Sequence, residues 1–143
     1  WGAGDKDRAL RALRLSEWVS LGWGLATWAL FGFGSSLVAA LFIEGEATTR
    51  YLTLFLVIVP AGHGAQGVFL VCNATLNAID RPLRAAALSI TRTLVLTAPL
   101  GWVGAAWYGV AGIFGRIAVA NLAVGVAAAL LTHHTLHSAQ AGD

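Results

Sequence analysis

The sequence predicts an all-α integral membrane protein with four transmembrane helices. Of its 143 residues, 57% are hydrophobic and 11% are charged, and the mean hydropathy is +0.72. Soluble domains carry about 25% charged residues, so this chain lacks the polar groups that a water-facing surface requires. The same composition excludes intrinsic disorder, which needs low hydrophobicity and high charge. Six tryptophans and 17 glycines also suit a membrane chain, because tryptophan favours the interfaces and glycine is tolerated in membrane helices.

Four apolar stretches lie between the charged segments, and each is long enough to cross a membrane. A helix needs about 20 apolar residues to span the hydrocarbon core. Segments of about ten residues that alternate between apolar and polar side chains, which are typical of membrane β-strands, do not occur in the sequence. The predicted helices cover approximately residues 14–35, 51–77, 83–106 and 108–132.

The basic residues around the ends of these stretches predict the orientation of the helices. Lysine and arginine concentrate in the cytoplasmic loops of membrane proteins. Six of them lie in the N-terminal segment up to residue 14 or in the middle loop at 77–84, whereas the opposite side has only Arg50, beside Glu44 and Glu46. The sequence therefore predicts cytoplasmic N- and C-terminal ends. The six residues are Lys6, Arg8, Arg11, Arg14, Arg81 and Arg84.

Several classes of function are disfavoured by the sequence. One cysteine allows neither an internal disulfide nor a cysteine-based zinc site, and a net charge of +2 is too small to indicate a nucleic-acid partner. No Ser-His-Asp set, phosphate-binding glycine loop or pair of catalytic carboxylates is evident, so neither an enzyme nor a cofactor is expected. His133, His134 and His137 have metal-ligand spacing, but with no acid nearby in sequence they indicate a frayed cytoplasmic tail rather than a metal site.

The second predicted helix carries a stripe of polar residues. His63, Gln66, Asn73 and Asn77 fall within about 80° of arc on one helix face, and His63 lies near the middle of the 51–79 stretch. Polar side chains at that depth face the interior of a bundle or a wet cavity. Two interpretations stay open. The stripe either lines a substrate path, with His63 as a proton carrier, or forms hydrogen bonds between helices.

Arg92 and Pro60 are two further candidates for functional residues. Arg92 lies about ten residues, or ~15 Å, into the third predicted helix. A charge at that depth costs at least ~2.5 kcal/mol on insertion scales, so we expect Arg92 to contact an anionic substrate group, to form a structural pair or to reach the headgroups. Pro60 predicts a kink in the second helix. That kink serves either as a hinge for gating or as a bend that fits the neighbouring helices.

Several short motifs occur in a fixed order along nearly the whole chain. The first is a glycine- and charge-rich opening, from Trp1 to Arg8, placed before a long apolar helix. The others are Leu41-Phe42-Ile43-Glu44, Gln66-Gly67-Val68, Ala74-Thr75-Leu76-Asn77-Ala78, Arg81-Pro82, Pro99-Leu100 and Gly109-Val110-Ala111-Gly112-Ile113. Their order and spacing resemble helices nine to twelve of the MATE (multidrug and toxic compound extrusion) transporters.

This resemblance implies that the chain forms the last four helices of a twelve-helix transporter with two lobes. The eight preceding helices of the same chain would then be its partner, and the four helices alone would be inactive. Such transporters work by alternating access. The implied function is antiport across the bacterial inner membrane, in which small molecules, either organic cations or amphiphilic drugs, leave in exchange for H⁺ or Na⁺.

The sequence departs from the family pattern in one respect, and two other functions stay open. Some members hold a carboxylate of the coupling-ion site in the tenth helix, but residues 51–79 contain no Asp or Glu. A lipid-linked oligosaccharide flippase of the related polysaccharide-export branch shares the two-lobe architecture, and Arg92 mildly favours it. A small four-helix membrane scaffold is the alternative from another class of protein.

Overall fold

The computed structural model describes residues 6–42 and 45–141, and the regular structure within those ranges is helical. Most of the glycine-rich opening motif and the end of the motif at 41–44 lie outside the described residues. Five α-helices are interrupted by a 3₁₀ segment and a π-helical segment. In chain order they are α1 (Lys6–Phe42), α2 (Glu46–Ile58), the 3₁₀ segment Val59–Gly62, α3 (His63–Ala78), α4 (Pro82–Ile90), the π-helical segment Thr91–Thr97 and α5 (Ala98–Ala141).

Helix α1 extends beyond the predicted range 14–35 at both ends. Its first turns are amphipathic, and Leu10 and Leu13 are buried in the bundle, which stabilises the helix before position 14. Farther along, most large apolar side chains are exposed, for example Trp23 at 73% and Phe33 at 92%. This surface is available to lipid or to further helices.

Helices α2 and α3 and the 3₁₀ segment between them occupy the region of the second predicted helix, 51–77. The change of helix type falls at Pro60, which lies near the start of the 3₁₀ segment and is buried. Proline cannot donate the backbone hydrogen bond that an α-helix interior requires, so it favours such an interruption. The role of Pro60 as a hinge stays a prediction.

A tight turn separates α3 from α4 within the predicted loop. The backbone N–H of Arg81 donates to the carbonyl of Leu76 at 2.9 Å, which closes the last turn of α3. Asp80 adopts a left-handed conformation with φ 58°, a position that usually holds glycine but tolerates aspartate. Pro82 then opens α4 in the first turn, where its missing N–H costs nothing.

The region of the third predicted helix, 83–106, is divided into three parts. Helix α4 gives way at Thr91 to the π-helical segment, and α-helical geometry resumes at Ala98. Gly109 then has φ 58° and ψ −137°, so the helical geometry breaks where the sequence placed the boundary between the third and fourth helices. Glycine adopts this positive φ without a Cβ clash.

Helix α5 extends well past its predicted end at 132. The prediction of a frayed tail is wrong, because α5 continues to Ala141 and one face of the extension is buried. Thr135 is 4% exposed and Leu136 is 1% exposed, and Leu136 belongs to the hydrophobic core. Tertiary burial of this kind is what stabilises most helices in proteins.

Helix α3 is the centre of the bundle, since α1, α4 and α5 all pack against it. The hydrophobic core lies near the turn that joins α3 to α4, at the end that carries most of the basic residues. It consists of Leu10, Leu13, Val68, Phe69, Cys72, Leu76, Ile79, Ala85, Leu88, Val124, Ala128 and Leu136.

Three helical stretches of the described residues are long and apolar enough to cross a membrane. They are Asp7–Val38, Thr48–Ala78 and Gly109–Ser138. The predicted span at 83–106 is divided by the π-helical segment, so a fourth crossing stays a prediction.

Two glycines allow α1 and α3 to cross at close range. A Cβ added to Gly24 would collide with the backbone of Gly64, and one added to Gly64 would lie 3.2 Å from the Cα of Leu21. Small residues at such crossings let two helix backbones approach closely in a membrane. By contrast, no neighbouring atom of the described residues lies within 4 Å of a Cβ added to Gly22.

We therefore expect Gly24→Ala to destabilise the protein, by about 1–3 kcal/mol as for other overpacked sites. Gly22→Ala is the matched control on the same helix, and it should leave stability unchanged or raise it slightly, because alanine is the better helix former. Thermal unfolding of both variants in detergent measures the difference. Equal melting temperatures for the two variants would show that the crossing does not depend on Gly24.

Candidate functional site

A polar cluster joins α3, α5 and the π-helical segment within the membrane-spanning region. The Asn121 amide nitrogen donates to the Gln66 side-chain oxygen at 3.2 Å, and the Arg92 guanidinium donates to the Asn121 side-chain oxygen at 3.3 Å. The guanidinium carbon of Arg92 also lies 4.7 Å from the centre of the Phe69 ring. We refer to Gln66, Phe69, Arg92 and Asn121 as the Arg92 cluster.

The neighbours of Arg92 stabilise a positive charge inside the bundle. The Asn121 oxygen is a hydrogen-bond acceptor, and the face of the Phe69 ring attracts the guanidinium through a cation–π interaction. Asn121 is 6% exposed, so its amide must find its partners within the protein. Arg92 itself is half-buried. The positively charged side chain of Arg92 thus lies inside the bundle and is partly accessible.

The position of Arg92 depends on the π-helical segment that begins one residue before it, at Thr91. A π-helical turn holds more residues than an α-helical turn, so it changes the direction in which the following side chains point. Such segments are rare and occur often at functional sites.

The predicted polar stripe on α3 divides into two pairs. Gln66 and Asn73 are half-buried and reach neighbouring helices, since Asn73 donates to the Ser89 hydroxyl of α4 at 3.0 Å. His63 and Asn77 are exposed, and the amide of Asn77 donates to Asn73 within α3. The contacts of Gln66 and Asn73 are hydrogen bonds between helices. The role of all four in a substrate path stays a prediction.

A second polar cluster lies between α1, α3 and α5. His133 Nε2 and Glu17 Oε2 are 3.0 Å apart, and the Cys72 thiol lies 3.5 Å from the other oxygen of Glu17. We refer to Glu17, Cys72 and His133 as the Glu17 cluster. Within the described residues, no group of three His, Cys, Asp or Glu side chains is arranged to hold a metal ion.

An apolar groove of about 310 Å³ lies between α1, α3 and α5. Its lining includes Leu21, Leu25, Ala61, Ala65 and Leu122. These side chains supply no charge or hydrogen-bonding group. Trp28, which also lines the groove, donates its indole N–H to the Val57 carbonyl at 2.9 Å.

Sequence reasoning identified Gln66 and Arg92 but missed the residues that join them to other helices. Asn121 carried a usable signal, because a lone amide in an apolar helix is expected to face the bundle interior. Glu17 lies within the first predicted helix with no pattern to mark it, and His133 lies in the segment predicted to be a frayed tail. Their contact joins residues 116 positions apart, which no local pattern reveals.

Comparison with known proteins identifies the family. The MatE family matches residues 1–103. The chain belongs to this family. It is 28% identical over 126 residues to the FAD transporter of Shewanella oneidensis, a match that covers 88% of this chain and 28% of that protein.

Solved structures of MATE transporters have the same fold as this chain. The bent form of VcmN from Vibrio cholerae matches with a TM-score of 0.88 and 28% identity, covering 96% of this chain and 31% of VcmN. A point mutant of VcmN matches with a TM-score of 0.82 and 29% identity, covering 88% of this chain and 29% of that one. The chain thus spans less than a third of each relative.

Family and hydropathy together make this MATE family member a multi-pass membrane protein. The predicted bacterial inner-membrane location agrees with the Shewanella and Vibrio relatives. The relatives that the chain matches are transporters.

We expect Asn121→Ala to destabilise the protein by about 1–3 kcal/mol, because it removes the hydrogen bonds that the buried Asn121 makes with the half-buried Gln66 and Arg92. Asn77→Ala is the matched control, since the hydrogen bonds of Asn77 stay within α3 and the residue is exposed. Thermal unfolding measures both variants. If Asn121→Ala costs no more than Asn77→Ala, the cluster does not join the helices.

Proposed function

We propose that this protein is a secondary active transporter that works by alternating access, with this chain as the last four of its twelve helices. The family match and the fold of VcmN support the proposal, as does the chain's coverage of less than a third of its relatives. The observation that carries it is the half-buried Arg92 within the membrane-spanning bundle. Charged groups at that depth are costly and mark substrate or ion paths.

The chemistry of Arg92 favours an anionic substrate. A guanidinium donates hydrogen bonds in a fixed geometry that suits phosphate and carboxylate groups. The FAD transporter of Shewanella oneidensis is a relative named for a substrate that carries a pyrophosphate. We therefore place flavin nucleotides and similar compounds first among the substrates.

Efflux of organic cations or amphiphilic drugs, implied by the resemblance to the MATE family, is the second candidate. It requires a carboxylate near the cation. Residues 51–79 hold none, and Glu17 is already paired with His133. Either substrate would be exchanged for H⁺ or Na⁺, and the remaining helices would supply acids for that exchange. A flippase for lipid-linked pyrophosphates would also use Arg92.

The test is transport by the full-length protein reconstituted in liposomes, with FAD as the anionic probe and ethidium as the cationic probe. We expect FAD to be transported and Arg92→Gln to lower its kcat/KM by about tenfold or more, since a hydrogen bond to a charged group is worth about 1.5–3 kcal/mol. Arg50→Gln, which removes an exposed arginine of α2, is the matched control and should retain transport.

Transport of ethidium but not FAD, unaffected by Arg92→Gln, would instead support the cation-efflux candidate. Transport of neither probe under imposed proton or sodium gradients would contradict efflux and favour a flippase or a scaffold.

A further inference from the structure

The Glu17 cluster connects two helices that otherwise meet at few points. Both α1 and α5 pack mainly against α3 and contact each other much less. The contact between His133 Nε2 and Glu17 Oε2, at 3.0 Å, is therefore a direct tie between α1 and α5. The side chain of Glu17 is 13% exposed and that of His133 is 26% exposed, so the pair is largely shielded from water.

The groups around this pair come from every helix that packs there. From α3, the Cys72 thiol donates to Glu17 at 3.5 Å, and Cys72 is fully buried. From α4, Arg84 donates to the Thr135 hydroxyl of α5 at 2.6 Å, so its guanidinium is directed towards α5 two residues beyond His133. Two other charged or titratable groups lie one helical turn away and are exposed. They are Arg14 on α1 and His137 on α5.

We propose that Glu17 and His133 form a proton-binding site whose protonated form ties α1 to α5. With the proton on the imidazole, the pair consists of a cation donating to a carboxylate, and the two charges compensate each other. When the proton leaves, the neutral imidazole donates a weaker hydrogen bond, and the carboxylate remains as an uncompensated charge in a shielded place. The proton goes to solvent, and no other bond changes.

The sign of the pH dependence follows from this chemistry. The tie should therefore be stronger at low pH, where an imidazole is protonated, and weaker as pH rises. This inference requires only the packed bundle and goes beyond the proposed transport, so it can hold or fail independently of the substrate.

The experiment is a double-mutant cycle in the full-length protein, with Glu17→Gln, His133→Gln and the double variant. Glutamine preserves hydrogen bonding and approximate size while removing charge and titration. Thermal unfolding is measured at about pH 6, on the acidic side of the ordinary value for an imidazole, and at about pH 8.5, well above it. We expect the coupling between the two positions, expressed as a difference in Tm, to fall by roughly half from about pH 6 to about pH 8.5. The reason is that charge-assisted hydrogen bonds are about twice as strong as neutral ones.

The matched control is His137→Gln, which removes an exposed imidazole one turn farther along α5. Combined with Glu17→Gln, it should show no coupling at either pH. Equal Glu17–His133 coupling at both pH values would indicate a purely structural hydrogen bond and overturn the proposal, as would the absence of coupling at pH 6. The double-mutant cycle can be measured even if the protein transports neither FAD nor ethidium.

Discussion

The structure depends on hydrogen bonds between helices, because polar side chains inside the bundle have little access to water. In a membrane, each unsatisfied polar group costs several kcal/mol, so polar side chains at depth must find partners on other helices. Helix α3 provides most of these partners. Gln66 reaches α5, Asn73 reaches α4, and the Cys72 thiol reaches α1. This constraint accounts for Gln66 and Asn73 in the polar stripe of α3, whereas His63 and Asn77 are exposed.

Close packing complements these hydrogen bonds. Hydrophobic burial gives little drive for association between helices that are already in lipid, so van der Waals contact and small residues become important. The crossing at Gly24 and Gly64 is one such contact, and another is Gly125, where an added Cβ would lie 2.6 Å from the Ala65 carbonyl oxygen. Both contacts lie at the start of α3, one and two residues before Gln66, the first of its hydrogen-bonding residues that reach another helix.

Much of the fold could be predicted from local signals. Hydropathy located the apolar stretches, Pro82 and its neighbours located the turn between α3 and α4, and Gly109 located the break in the last long helical region. The π-helical segment at Thr91 could not be predicted, because hydropathy and charge, including Arg92 within it, do not distinguish a π-helical turn from an α-helical turn. The extension of α5 also escaped prediction, since it depends on the burial of Leu136 against distant residues.

The candidate site was predicted only in part, for the same reason. The helical spacing of polar residues placed Gln66 on the polar face of the second predicted helix. The predicted depth of Arg92 in the membrane marked it as a candidate. Asn121 and the pairing of Glu17 with His133 are tertiary contacts between residues far apart in sequence. A single sequence shows which residues are costly to bury, but only the packing shows which residues compensate for that cost.

The central claim is that the Arg92 cluster lies on a water-accessible substrate path, and thiol labelling tests it most directly. Gln66, at the edge of the cluster, is replaced by cysteine in the full-length protein, and a charged, membrane-impermeant thiol reagent is added with and without FAD. Cys72 is fully buried and is retained, and the unsubstituted full-length protein gives the background labelling. We expect the new cysteine to be modified and FAD to slow its modification. If the cysteine at position 66 stays as unreactive as Cys72, the cluster is a packing contact between helices without access to water, and the claim is contradicted.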